Sequence, residues 1–162
     1  MRRRVFFALA ALILIADQIT KWKVRELYLP NETHTIVPGY FDLIFVQNPG
    51  GAFGIFREGT SFLSLACFAA AIAISVYVLR LNSRLPVLLG IALALPMGGA
   101  IGNLIDRVRF HWVTDFLHVH VGAHDWPVFN VADSAICVGV TLLIIYSSLT
   151  PSKPQPVPAP EK

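Results

Sequence analysis

The sequence predicts an all-α membrane protein, four transmembrane helices with a small extracytoplasmic β-rich element. Three observations carry that expectation. The 162 residues are 55% hydrophobic and 14% charged, with a mean hydropathy of +0.62, too apolar for an ordinary soluble domain. Four apolar runs reach the roughly 20 residues needed to cross about 30 Å of hydrocarbon. A stretch rich in β-branched and aromatic residues separates the first two runs.

The expected spans are 5–22, 62–79, 85–105 and 131–149. The first begins after Arg2, Arg3 and Arg4 and has the outline of a signal peptide. No small-residue cleavage site follows its apolar core, and the apolar face continues through Ile19 and Trp22, so an uncleaved span is expected. Between the first two spans, Thr35 to Val37 and Tyr40 to Gln47 read as a hairpin about Pro38 and Gly39. Asn48, Pro49, Gly50 and Gly51 break its second strand, which bounds a β-rich segment of about 35–53. Residues 1–149 form one membrane-embedded unit in this reading, and 150–162 a disordered proline-rich tail.

The net charge of +3 does not indicate nucleic acid, because the Lys and Arg residues flank apolar runs rather than forming a patch. Placing both termini in the cytoplasm sets seven cations there against six outside. The acid-free clusters at Arg2 to Arg4 and at Arg80 and Arg84 favour that orientation. Cys67 and Cys137 lie inside apolar runs, form no metal-ligand spacing and read as packed thiols.

Ionisable groups in or beside a span are functional candidates. Successive spans alternate direction, so Asp17, Asp106, Asp115 and Asp133 all fall at one membrane face. Asp17 has Lys21 four residues on, and Asp106 adjoins Arg107. Asp115, expected in the loop joining the third and fourth spans, and Asp133, at the start of the fourth, have no neighbouring cation. Two such carboxyls held together share one proton, and one can serve as base while the other serves as acid. Each acid also has a structural reading, and Asp133 three residues after Asn130 suits a helix start. Gly98, Gly99 and Gly102 give the third span a small-residue face for close packing of a helix or a lipid chain.

The stretches Asp17 to Lys21 (DQITK), Asn48 to Phe53 (NPGGAF), Gly98 to Arg107 (GGAIGNLIDR), Val113 to Phe116 (VTDF) and Phe129 to Ser134 (FNVADS) occur in an order that resembles the bacterial lipoprotein signal peptidases, aspartyl proteases of the signal peptidase II type. The resemblance implies a bacterial inner-membrane enzyme with both termini cytoplasmic and its site towards the periplasm. It implies that Asp115 and Asp133 are the catalytic dyad. Asn103, Asp106 and Arg107 match a supporting polar cluster, Asp17, Lys21, Asn48 and Asn130 match other recurrent polar positions, and Gly99 belongs to the same motif. The implied substrate is a diacylglyceryl-modified prolipoprotein, cut just before its lipidated cysteine. Membrane lipids and this substrate are the expected partners of a monomer that uses no cofactor and no metal. Gly51 stands where the family commonly has alanine, which removes no reactive group.

Two other activities compete. His118 and His120 would share one strand face, with His124 and Asp125 nearby, which suggests a metal-dependent membrane hydrolase. Intramembrane acids beside Lys and Arg also suit a small proton-coupled transporter, although here they gather at one face and leave the middles of the spans uncharged.

Overall fold

The computed structural model describes residues 1–50, 60–81, 84–122 and 124–150. Its elements are α1 (Arg3–Leu27), β1 (Thr33–Val37), β2 (Phe41–Asn48), α2 (Thr60–Arg80), α3 (Val87–Phe110), β3 (Val113–Val121), β4 (His124–Asp125) and α4 (Val131–Leu149). All four helices are long and apolar enough to cross a membrane. Large apolar side chains such as Leu12, Phe68 and Ile144 face outwards, as lipid-facing residues do in a multi-pass membrane protein.

Helix α3 is the centre of the bundle, and α1, α2 and α4 all pack against it. Half of its most apolar stretch is buried, against 11–22% in the other helices. Glycines make this approach possible. A Cβ on Gly98 would lie 2.5 Å from the Ala10 carbonyl oxygen of α1, and one on Gly99 would lie 2.5 Å from that of Ala132 in α4. On Gly102 a Cβ would run into the Asp17 carboxylate. The helix-packing reading of this small-residue face is therefore the one the fold adopts.

Helix α1 runs five residues beyond its expected end because its buried stripe continues. Phe6, Ala10, Asp17, Lys21 and Val24 lie on one face at helical spacing, and Val24 joins Phe45 and Phe116 in a small core beneath the sheet. Helix α3 begins after Pro86 and reaches Phe110, five residues past the expected boundary. His111 ends it in the left-handed conformation (φ 63°), and the chain turns directly into β3. Helix α4 has the expected bounds.

The expected hairpin is present as β1 and β2, antiparallel, with Val37 opposite Phe41. The stretch expected as a loop around Asp115 is instead β3, the partner of β2 in a four-stranded sheet ordered β1-β2-β3-β4. Its second half, Leu117 to Val121, alternates apolar and polar residues as a strand does, and pairing with β2 supplies the partner that a local reading lacks. The Gly51 to Phe53 part of the glycine-rich motif and the proline-rich tail beyond Thr150 lie outside the described residues.

Candidate active site

Three junctions bring the polar residues together. Asp106, one turn from the end of α3, accepts the Thr114 backbone N–H at 2.9 Å and fastens the start of β3. Asp17 of α1 accepts the Ala132 N–H at 3.0 Å and fastens the start of α4. Phe129, just before α4, exchanges backbone hydrogen bonds with Leu117 of β3 at 2.8 and 3.0 Å. Asp115 on β3 and Asp133 in the first turn of α4 consequently line one cavity of about 500 Å³.

Two asparagines link these carboxyls. Asn130 donates its side-chain amide to Asp115 Oδ1 at 2.7 Å and accepts the Asp133 N–H at 2.9 Å. Asp133 Oδ2 in turn accepts the Asn130 N–H at 3.2 Å, completing a capping box at the start of α4. The helix-cap reading of Asp133 thus holds alongside its place in the cavity. Asn103 donates to Asp133 Oδ1 at 2.8 Å, and its side-chain oxygen receives Lys21 Nζ at 2.7 Å. Asn48, at the end of β2, donates to Asp115 Oδ2 at 2.7 Å.

The remaining acids have cations of their own. Lys21, fully buried, lies 2.9 Å from Asp17 and 3.6 Å from Asp106, and Arg25 lies 3.5 Å from Asp106. Spatially, then, Lys21 and Arg25 compensate Asp106, whereas its sequence neighbour Arg107 turns towards Cys67 Sγ at 3.6 Å and lines the cavity. Burial, and then the charge of Asp133, push the Asp115 carboxyl up from its ordinary value of 3.8 to about 7, against the opposing hydrogen bonds from Asn48 and Asn130. A carboxyl so placed can hold a proton near neutral pH and give it to a ligand in the cavity.

All ten residues singled out from the sequence adjoin this region. Asp115, Asp133, Asn48, Asn103 and Arg107 line the cavity. Asn130, Asp17, Lys21 and Asp106 are fully buried supports, and Gly99 is a packing contact against α4. Local reading missed Arg25, which also donates to Thr114 Oγ1 at 2.6 Å and covers the Phe110 ring at 4.7 Å. Its place one turn beyond Lys21 was the available signal. Gln18 was passed over within its motif, although it donates to Asp17 Oδ2 and the Gly102 carbonyl, both at 3.1 Å. Trp126, Pro127, Val128 and Ile136 supply an apolar wall. Cys67 is half-buried, whereas Cys137 is exposed on α4, which corrects its reading as a packed thiol.

The histidine cluster is gathered differently from the expected set. His118 and His120 stack at 5.1 Å between ring centroids and meet Asp42 of β2, with Asp125 beside His118. His124 is exposed on β4, and the metal-competent group among the described residues consists of Asp42, His118 and His120.

Residues 9–149 match the family described as Signal peptidase (SPase) II. The chain is 39% identical over 148 residues to the lipoprotein signal peptidase of Syntrophus aciditrophicus (strain SB), covering 87% of this chain and 90% of that protein. It is 42% identical over 144 residues to the lipoprotein signal peptidase of Syntrophotalea carbinolica, covering 88% and 89%. A bacterial membrane enzyme solved by the in meso method at 2.3 Å resolution superposes with a TM-score of 0.80 at 26% identity, over 93% of this chain and 94% of that one. With the family model spanning nearly all of the four-helix framework, this chain belongs to the signal peptidase II family.

Proposed function

We propose that Asp115 and Asp133 are the catalytic dyad of an aspartic endopeptidase that removes the signal peptide from a diacylglyceryl-modified prolipoprotein, cutting just before the lipidated cysteine. Family membership and the lipoprotein signal peptidases among its relatives support removal of signal peptides from prolipoproteins. They favour neither the transporter nor the metal-dependent hydrolase. The aspartic chemistry rests on one observation. Asp115 and Asp133 share a cavity through Asn130 and Asn103, while Asp17 and Asp106 already have Lys21 and Arg25 as partners.

In this reading Asp115 carries the dyad's proton and Asp133 is ionised. Water attacks the peptide carbonyl carbon and gives a proton to Asp133, while Asp115 protonates the carbonyl oxygen. As the tetrahedral diol collapses, one of its hydroxyls returns a proton to Asp115, the C–N bond breaks, and the proton held by Asp133 goes to the departing amine. Asn48 and Asn130 orient Asp115, and Asn103, polarised by Lys21, orients Asp133.

An active site between spanning helices suits a lipid-anchored substrate. Extracting acyl chains into water would cost roughly 0.8 kcal/mol per CH₂. The apolar wall beside the dyad is compatible with signal-peptide side chains or lipid. We assign residues 1–149 to one peptidase unit, with 150–162 as a disordered tail. The chain acts as a monomer in the bacterial inner membrane, with cytoplasmic termini and a periplasm-facing site. Cleavage of a diacylglyceryl-modified prolipoprotein by wild type, Asp115→Asn and Asp133→Asn tests the dyad. Both variants should lose about 10²- to 10⁴-fold or more in rate while keeping wild-type helix content in detergent. Near-wild-type cleavage by either one would remove it from the dyad.

A further inference from the structure

On the sheet, away from the dyad, strand pairing assembles a second group of side chains. Asp42 of β2 lies directly opposite His118 of β3, and His120 follows two residues later on the same strand face. Asp42 Oδ2 is 2.9 Å from His120 Nε2 and 3.6 Å from His118 Nδ1. One ligand atom from each of the three residues falls within 4.8 Å of the others. Tetrahedral zinc, with bonds of about 2.0–2.1 Å, holds its donors about 3.3 Å apart. The two separations from Asp42 bracket that value, and the third, between the histidine nitrogens, lies within 4.8 Å, so ring rotation has to draw the histidines onto one ion.

One outer contact, at a distance that a small ring movement would close to a hydrogen bond, supports His118. With Nδ1 of His118 directed at Asp42, its Nε2 lies 3.7 Å from the carboxylate of Asp125. Asp125 is placed there because β4 pairs it with His120. A carboxylate on the far ring nitrogen is the usual support of a ligating histidine, since it selects the tautomer and raises the basicity of the donor. The two histidines and Asp42 are sheltered, each side chain being 13–21% exposed, yet open enough for an ion to enter.

We propose that Asp42, His118 and His120 form a binding site for a divalent transition-metal ion of the zinc class, with Asp125 as the outer partner of His118. Two neutral imidazoles and one carboxylate suit Zn²⁺ better than Ca²⁺ or Mg²⁺, which prefer oxygen donors. Strand alternation puts His118 and His120 on the sheet face opposite Asp115. The ion therefore clamps β2 to β3 and lies apart from the peptidase chemistry.

The test titrates Zn²⁺ into untagged, metal-free protein in detergent by calorimetry, with Co²⁺ absorption as a second probe. Wild type should bind one equivalent saturably, and its Co²⁺ spectrum should show tetrahedral d–d bands without thiolate charge transfer. His118→Ala, His120→Ala and Asp42→Asn should each weaken binding at least tenfold, whereas His34→Ala and His124→Ala should bind as wild type does. Histidine-labelled wild type gives an answer that needs no variant, because the His118 and His120 ring signals should shift together and saturate at one equivalent. An absence of saturable binding, or ring signals that stay put while zinc binds elsewhere, overturns the site. Retained prolipoprotein cleavage by metal-free wild type would agree with a clamp, and its loss on metal removal would overturn the separation from the dyad.

Discussion

Asn130 donates its side-chain amide to Asp115 at 2.7 Å while the oxygen of the same amide caps the helix that carries Asp133. One side chain thus sets both the position of one carboxyl and the start of the element bearing the other. Asn130→Ala should lose about 0.5–2 kcal/mol of stability for the cap and cleave poorly. Asn130→Asp keeps a good cap yet replaces the donor with a negative charge against Asp115. With that charge buried among acceptors, it should unfold no later than Asn130→Ala and still cleave poorly. Equal activity in Asn130→Asp and wild type would separate this amide from the chemistry.

The proton on Asp115 makes the rate depend on pH with a defined sign. Its carboxyl is raised to about 7, chiefly by burial and then by Asp133, so the protonated form predominates below that value. Cleavage should fall towards tenfold per pH unit above about 7. The same shift affects stability. The folded pKa exceeds the ordinary 3.8, so the stability associated with a neutral Asp115 is complete below about 4 and is lost as pH rises through about 7. In Asp133→Asn the like charge is gone, and the Asp115 midpoint, followed by carboxyl carbon NMR, should move down. An unmoved midpoint would mean that the two groups are not coupled.

Lys21 serves two carboxylates and Asn103 at once, from a fully buried position. Removing it leaves buried acids without their cation, a change that typically costs 3–5 kcal/mol. Lys21→Met should show that loss in denaturation, and Asp17→Asn in the same chain should restore part of it. No recovery in the double variant would argue that the Asp17 pair contributes little.

A Cβ at Gly99 would sit 2.5 Å from the Ala132 carbonyl oxygen in the first turn of α4, next to Asp133. Gly99→Ala should cost about 1–3 kcal/mol by overpacking. It should also lower the cleavage rate at saturating substrate, because α4 has to retreat with Asp133. Thermal unfolding and saturation kinetics on one preparation distinguish the two effects, and unchanged kinetics would mean that α4 accommodates the methyl without moving the carboxyl.

Much of the architecture was readable along the chain. Four apolar runs specified four helices, because crossing hydrocarbon requires length and apolarity that are local properties of the sequence. The alternation of spans put the four aspartates at one face, and the motif around Asp17 already paired that residue with Lys21. What local reading lacked was the reach of β3 back through Asp115 and its partner. Only Leu117 to Val121 alternates as a strand should, and the partner β2 lies on the far side of two helices in sequence. That pairing decided the neighbours of Asp115, and it joined Asp42 to His120, 78 residues away. Arg25 found Asp106 and Thr114 through the same tertiary contacts. Hydropathy is summed residue by residue and survives in the linear order. Strand register and the partners of buried charges depend on which distant segments meet, and those were decided only when the helices packed and the sheet closed over their ends.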